Sequence, residues 1–245
     1  MGLNSEDGRQ YHIQVAPGEV GRYVFLPGDP FRTDLIAGFL ANPVLVAHNR
    51  EHKTWTGTLD GVKVSVTSTG MGCPSTAIAV EELIKVGADT FIRIGTAGTV
   101  KDPEDQNIYD GVIVNGAVRD EGTTLHYVPE GYPAVADRHV VAALAKAAKA
   151  RGGNYLEGIS QSKDSFYGEI DPDCSPVGER LKKRWQAWQR GNVACSEMEC
   201  AALFVISTIR GARASAIMNW GDMNETIRTA CDAVRLLIKE DVSKQ

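Results

Sequence analysis

No apolar run in this sequence approaches the roughly 20 residues that a membrane-crossing helix needs. The first residues, Met1-Gly2-Leu3-Asn4-Ser5-Glu6-Asp7, lack the charged-then-apolar pattern of a leader. A cytoplasmic protein with no membrane partner is expected. Cysteine is scarce: Cys73, Cys174, Cys195, Cys200 and Cys231 make an odd set without a CxxC pair or a histidine cluster. That composition argues against zinc and for reduced, buried thiols. A basic block is missing as well. The 26 Lys and Arg are outnumbered by 31 Asp and Glu, for a net charge of −5, which argues against a nucleic-acid surface. Lys182-Lys183-Arg184 is short and reads as a solvated helix face. No repeat or low-complexity linker divides the chain, so residues 1–245 read as one domain, and 43% hydrophobic content supplies its core.

The pattern that remains is strand alternating with helix, the signature of an α/β fold. Tyr23-Val24-Phe25-Leu26 reads as a buried strand entering the turn Pro27-Gly28-Asp29-Pro30, with Arg32 in the first turn of the next helix. A strand, a glycine turn and a helix N-terminus form a ready anion site. Equally, Asp29 could cap the helix and Arg32 lie on the surface. Asp60-Gly61 is a hairpin signal, and Arg50 falls in a polar loop between strands. Ser68-Thr69-Gly70-Met71-Gly72-Cys73-Pro74-Ser75 opens a helix. It is not a dinucleotide fingerprint, because the following strand carries Arg93 where a ribose-binding acid is needed.

That strand, Phe91-Ile92-Arg93-Ile94-Gly95-Thr96-Ala97-Gly98, is the centre of the sequence. An arginine among apolar neighbours is costly unless an anion meets it. The bland partner is a core carboxylate such as Glu81 or Glu82. The functional partner is a ligand oxyanion, held beside the Thr96 hydroxyl and the close-approach glycines Gly95 and Gly98.

Further on, Lys163-Asp164-Ser165-Phe166-Tyr167-Gly168-Glu169 reads as a long loop, either a binding loop or one tethered by its aromatics. The apolar helix is expected to begin at Cys195. Glu197 and Glu199 cannot share one helical face, so the chain is still entering the helix there, with at least one carboxylate aimed at a ligand. Arg213 to Asn219 reads as the last buried strand. Asp222-Met223-Asn224-Glu225 has the spacing of a capping box.

Taken together, these stretches resemble the nucleoside phosphorylase superfamily, particularly its uridine phosphorylase branch, over nearly the whole chain. The resemblance is carried by Pro27-Gly28-Asp29-Pro30 with Arg32, Asn49-Arg50-Glu51 and Ser68-Thr69-Gly70-Met71-Gly72. It continues through Arg93 to Gly98, Pro133 to Asp137, Asp164-Ser165-Phe166-Tyr167 and Glu197-Met198-Glu199. It implies a twisted, mixed central sheet, partly barrel-like and flanked by helices. It implies phosphate held by Gly28, Arg32, Arg93 and Thr96, with Arg50 supplied by a neighbouring subunit. It implies ribose contacts from Met198, Glu199 and, across a dimer interface, His12, and a base site at Phe166 and Glu169. Arg93 and Glu199 carry the chemistry in this reading. The implied reaction is phosphorolysis of a ribonucleoside, uridine before others, with inorganic phosphate as co-substrate and neither metal nor organic cofactor. The implied assembly is a homo-oligomer with sites shared across a dimer interface, the dimers assembling into a hexamer. A purine nucleoside phosphorylase is the alternative, with Asp222 as its acid. A hydrolytic nucleosidase, which has no need of three arginines, and a non-catalytic nucleoside-binding protein stand further off. Uridine phosphorylases commonly follow the Phe-Tyr pair with a glutamine and a nearby arginine. Here Glu169 is expected either to read the base or to turn outward to solvent.

Overall fold

The computed structural model describes residues 8–244; residues 1–7, on which the leader reading rests, lie outside the described residues. Strand β1 (Tyr23–Leu26) is buried along its length and runs into α1 (Pro30–Ala37), whose N-cap Asp29 accepts from the Phe31 amide. Three antiparallel-linked strands follow: β2 (Ala41–Asn49), β3 (His52–Leu59) and β4 (Val62–Thr67). Asp60 and Gly61 between the last two both take positive φ, as the primed hairpin turn requires. Helix α2 (Cys73–Lys85) leads to β5 (Thr90–Thr96) and the short β6 (Gly98–Thr99).

After the small helix α3 (Asp105–Ile108) come β7 (Gly111–Asp120), β8 (Ala134–Val135) and α4 (Arg138–Ala150). Next are β9 (Tyr155–Lys163), α5 (Phe166–Ile170), α6 (Gly178–Arg190), β10 (Cys195–Glu197) and α7 (Cys200–Ile209). The described chain closes with β11 (Arg213–Asn219) and α8 (Met223–Ser243).

The strands form one mixed sheet in the order β2-β3-β4-β1-β5-β11-β7-β9-β10-β6, with β8 added to β7. Parallel pairing joins β4, β1, β5 and β11, and again β7, β9 and β10. Alternation sorts the strand side chains onto two faces. Tyr23, Phe25, Ile92, Ile94 and Ile217 pack under α4 and α8, while Val24, Leu26, Phe91, Ala216 and Met218 pack with α2 and α7. Arg93 shares the parity of Phe91, so it projects toward the layer of α2 and α7. Its β11 neighbour in register is Ala216, a small residue.

Two expectations are corrected. The apolar helix does not start at Cys195: Cys195–Glu197 is a strand held by β9 and β6, and the helix begins at Cys200. Lys163, expected to open a long loop, is instead the last residue of a nine-residue strand that is buried from Ser160 to Lys163. Among the described residues no helix is long and apolar enough to cross a membrane.

Candidate active site

Two helix N-termini meet over β5. Helix α2 starts after Gly72 and helix α7 after Glu199, and the Gly72 amide donates to Glu199 Oε1 at 2.7 Å. Glu197 closes the start of α7, accepting from the amides of Glu199 (2.7 Å) and Cys200 (2.8 Å). Carboxylates are favoured at such ends, where unpaired amides and the helix dipole meet them. The hydroxyls of Ser160 and Ser162 on β9 donate to the other oxygen of Glu197. Neither residue is free to turn outward.

Arg93, only 5% exposed, lies beneath this pair. Its Nη2 donates to Glu199 Oε2, and its Nε stands 3.6 Å from Glu197, too long for a hydrogen bond. Nε and Nη1 are both buried without a hydrogen-bond partner. A buried donor left unmade costs about 1–3 kcal/mol, more when it is charged. The proposed core partners prove wrong. Glu82 instead binds His12, and Glu81 binds Arg210. Burial alone would lower the Arg93 pKa, but the Glu199 and Glu197 charges outweigh it and the net shift is upward. Burial pushes the Glu199 carboxyl above its usual range, with Arg93 opposing and Glu197 adding to the rise.

The opening in front of Arg93 is bounded by Gly28, where an added Cβ would lie 3.8 Å from both Nη atoms. Arg32 is half-buried, and its pKa is lowered first by burial and then by the Arg93 charge. Two cations that repel each other across a cradle with orphan donors fit an anion. Thr96 ends β5 at an exposed position, in register with Asn219. Met198 sits between the two glutamates, partly exposed.

Arg50 lies in the β2–β3 turn with φ +54 and is exposed. His12 is anchored by Glu82, which takes its Nδ1 at 2.6 Å and its amide, while Asn49 donates to the His12 carbonyl at 2.7 Å. His12 and the Arg50 turn therefore belong to one patch. Among the described residues, neither His12 nor Arg50 contacts Arg93, Glu197 or Glu199.

On α5, Phe166 is 51% exposed and Tyr167 more so, which removes the reading that they tether the loop to the core. Glu169 does not turn outward: it pairs with Lys163 Nζ at 2.9 Å and accepts from Ser196 Oγ at 2.6 Å. Lys163 and Ser196 are the residues that reading the sequence missed. Their signal was weak: polar residues on both parities of β9, Ser160 and Ser162 on one and Gln161 and Lys163 on the other. Asp222 caps α8 by accepting from the Asn224 amide, but the box is half made, because Glu225 pairs with Arg151 and Arg228 instead. Burial raises the thiols of Cys73 and Cys200, both beside the site, well above their ordinary range, so they stay protonated. No group of three metal-binding side chains occurs among the described residues.

The fold is an α/β sheet in which a buried arginine with unpartnered donors, near a second arginine, stands beside an anchored carboxylate. The chain belongs to the phosphorylase superfamily, whose pattern it matches over residues 22–235. It is 44% identical to a uridine phosphorylase of Treponema pallidum over 95% of both chains. It is 40% identical to a uridine phosphorylase of Thermococcus kodakarensis, covering 98% of this chain and 91% of the relative. A guanosine phosphorylase of Halorubrum lacusprofundi is 38% identical over 85% of this chain and 81% of its own.

Proposed function

We propose that the chain is a pentosyltransferase that cleaves uridine with inorganic phosphate, giving uracil and ribose 1-phosphate. The observation that carries this reading is the buried Arg93, whose unpartnered Nη1 faces Gly28, whose unpartnered Nε lies towards Gly95, and whose Nη2 is tied to Glu199. Phosphate supplies the missing acceptors, with Arg32 sharing its charge and Thr96 adding a hydroxyl. Glu199 takes the ribose hydroxyls, and Met198 lies against the sugar. Phosphate attacks the anomeric carbon as the base departs, through a sugar bearing positive charge. Carboxylates on one side and a held dianion on the other favour that state, so positioning and electrostatics carry the rate.

Uracil is favoured because the relatives named uridine phosphorylase match at 44% and 40% identity over most of the chain. The guanosine phosphorylase relative keeps guanosine as the second reading. Asp222 as a purine acid is not favoured, since its carboxylate is spent on a helix cap. His12 and Arg50, sharing a patch without touching the Arg93 site, suit donation to a neighbour's site in a homo-oligomer, hexameric in this reading. A cytoplasmic enzyme without metal or organic cofactor completes the proposal.

The test is base release from uridine, guanosine, inosine and adenosine with and without phosphate. Uracil release that needs phosphate supports the reading. Release in water alone would make the chain a nucleosidase, and release from none of the four would make it a binding protein.

A further inference from the structure

The buried face of α2 carries an acid. Glu82 lies there among Ala79, Val80 and Leu83 and is 7% exposed. A buried carboxylate is costly unless its oxygens are bonded. Among the described residues, all its hydrogen bonds go to one short stretch. Oε2 accepts from the amides of His12 (3.0 Å) and Ile13 (2.9 Å), and Oε1 meets the His12 ring at Nδ1 (2.6 Å). The adjacent Glu81 points elsewhere, to Arg210. His12 is held from two further sides. Tyr11 meets its ring edge to face, with centroids 4.9 Å apart, and Asn49 donates to its carbonyl at 2.7 Å. The His12 side chain remains 26% exposed, and among the described residues nothing bonds to Nε2. The start of the same helix holds Glu199 through the Gly72 amide. One rigid element therefore sets both the carboxylate of its own site and the histidine offered to a neighbour's.

We propose that Glu82 is a positioning residue that holds the His12 ring with its proton on Nδ1, leaving Nε2 as a bare acceptor for the 5′ group of the sugar in the neighbouring subunit's site. A carboxylate only accepts, so the ring nitrogen facing it must donate. The bond made by one ring nitrogen decides the state of the other, and the neutral ring then presents a lone pair at Nε2. In the shared site of the phosphorolysis reading, on which this rests, Glu199 takes the two hydroxyls on the ribose ring, which leaves His12 the 5′ group. A hydroxyl can donate to Nε2. An ammonium can only donate, and the Glu82 charge behind the ring favours it further. A 5′ methyl gains nothing. No proton is transferred at any stage; Glu82 acts on the substrate solely through the ring.

The bland alternative is a carboxylate that merely ties the loop around His12 to α2. Glu82→Gln separates the two. Its single oxygen can serve either the two backbone amides or Nδ1. The amides have no alternative tautomer, so they keep the oxygen, and the glutamine NH2 turns to the ring. Nδ1 must then accept, and the ring proton moves to Nε2. The readout is the ratio of kcat/KM for 5′-amino-5′-deoxyuridine to that for 5′-deoxyuridine at pH 7. Wild-type protein should favour the amine by at least about 10-fold, the worth of one charged hydrogen bond. Glu82→Gln should bring the ratio to one or below, because two donors then face each other, while Glu81→Gln keeps the wild-type ratio. An unchanged ratio in folded Glu82→Gln protein, or a wild-type ratio of one, would overturn the proposal. His12→Phe should level the ratio as well, and adding Glu82→Gln to it should shift the ratio no further; a further shift would show that Glu82 acts by another route. Solid-state NMR of histidine-labelled wild-type protein needs no folded Glu82 variant. The His12 signals, identified by their loss in His12→Phe, should show the neutral ring protonated at Nδ1, and a proton at Nε2 would refute the assignment. Wild-type protein that releases no uracil from uridine with phosphate refutes the function itself and takes this role with it. An active wild type with a contrary ratio or tautomer refutes the Glu82 role alone.

Discussion

Replacing Gly28 with alanine separates the chemistry of the cradle from the stability of the fold. The backbone there needs no positive φ, so alanine brings no conformational strain. The new methyl meets the Gly70 carbonyl at 3.3 Å, a tight contact relieved by a shift of a few tenths of an ångström. Reduced freedom of the unfolded chain returns about 0.4–1 kcal/mol, so the net stability change is close to zero. The same methyl lies 3.8 Å from both Nη atoms of Arg93. Phosphate oxygens approach a guanidinium to about 2.7–2.9 Å, so the methyl and the rest of the anion compete for one space. Losing one charge-assisted contact of about 1.5–3 kcal/mol raises the phosphate requirement roughly 10- to 150-fold. Initial rates over a phosphate series at saturating uridine give this number, with thermal melts as the fold control. Gly131→Ala, where an added Cβ meets nothing within 4 Å, is the matched substitution without effect. A folded Gly28→Ala protein with an unaltered phosphate KM would refute the cradle as the anion site.

Three other outcomes are expected. Mixing inactive Arg50→Ala and Glu199→Ala proteins under subunit exchange should restore about a quarter of wild-type activity, because half the dimers are hybrid and each regains one of two sites; no recovery despite exchange confirmed by mass spectrometry would end the shared-site proposal. Asp222→Ala removes a helix cap worth about 0.5–2 kcal/mol and should lower Tm by a few degrees while leaving the ratio of uridine to inosine cleavage alone; a collapse in inosine cleavage alone would restore Asp222 as a purine acid. Burial would raise the Asp241 carboxyl, but hydrogen bonds from Arg213 and Tyr23 reverse this and hold it below the ordinary aspartate range. A depressed carboxylate stabilises above its unfolded pKa and loses that contribution as pH falls through the folded value. Asp241→Asn should therefore be less stable than wild type at pH 7 in urea titrations, and a gap that stays constant down to pH 2 would contradict the assignment.

Local pattern revealed the strands that are apolar on both faces. β1 carries no charge and β11 only Arg213 at its first position, and turn residues bound both in the sequence, so periodicity and punctuation suffice. Strand β10 looks helical in the sequence for a physical reason. Its three residues run without a break into the apolar α7, and only pairing with β9 and β6 makes them a strand. The end of β9 reads as the start of a loop because nothing near Lys163 in the sequence shows that Ser196 and Glu169 are brought to its ammonium from elsewhere in the chain. Arg93 itself was legible, since a charge in a buried strand demands an account. Its partners do not follow from nearness in sequence: the acids of α2 turn to His12 and Arg210, and the carboxylates that meet Arg93 arrive from beyond β9.

The contact between Arg93 and Glu199 gives the buried guanidinium a counter-ion from within the chain. In the proposed reaction each member serves a different substrate, the guanidinium the phosphate and the carboxylate the sugar. Phosphate on the unpartnered donors of Arg93 would drain charge from its contact with Glu199, and sugar hydroxyls on Glu199 would do the same from the other end. Each substrate therefore loosens the contact that competes with the other. Thermodynamic reciprocity makes the benefit equal in both directions. The pair thus ties two occupancies together without any moving domain, and it disfavours a half-filled site in which a sugar meets water before phosphate has come.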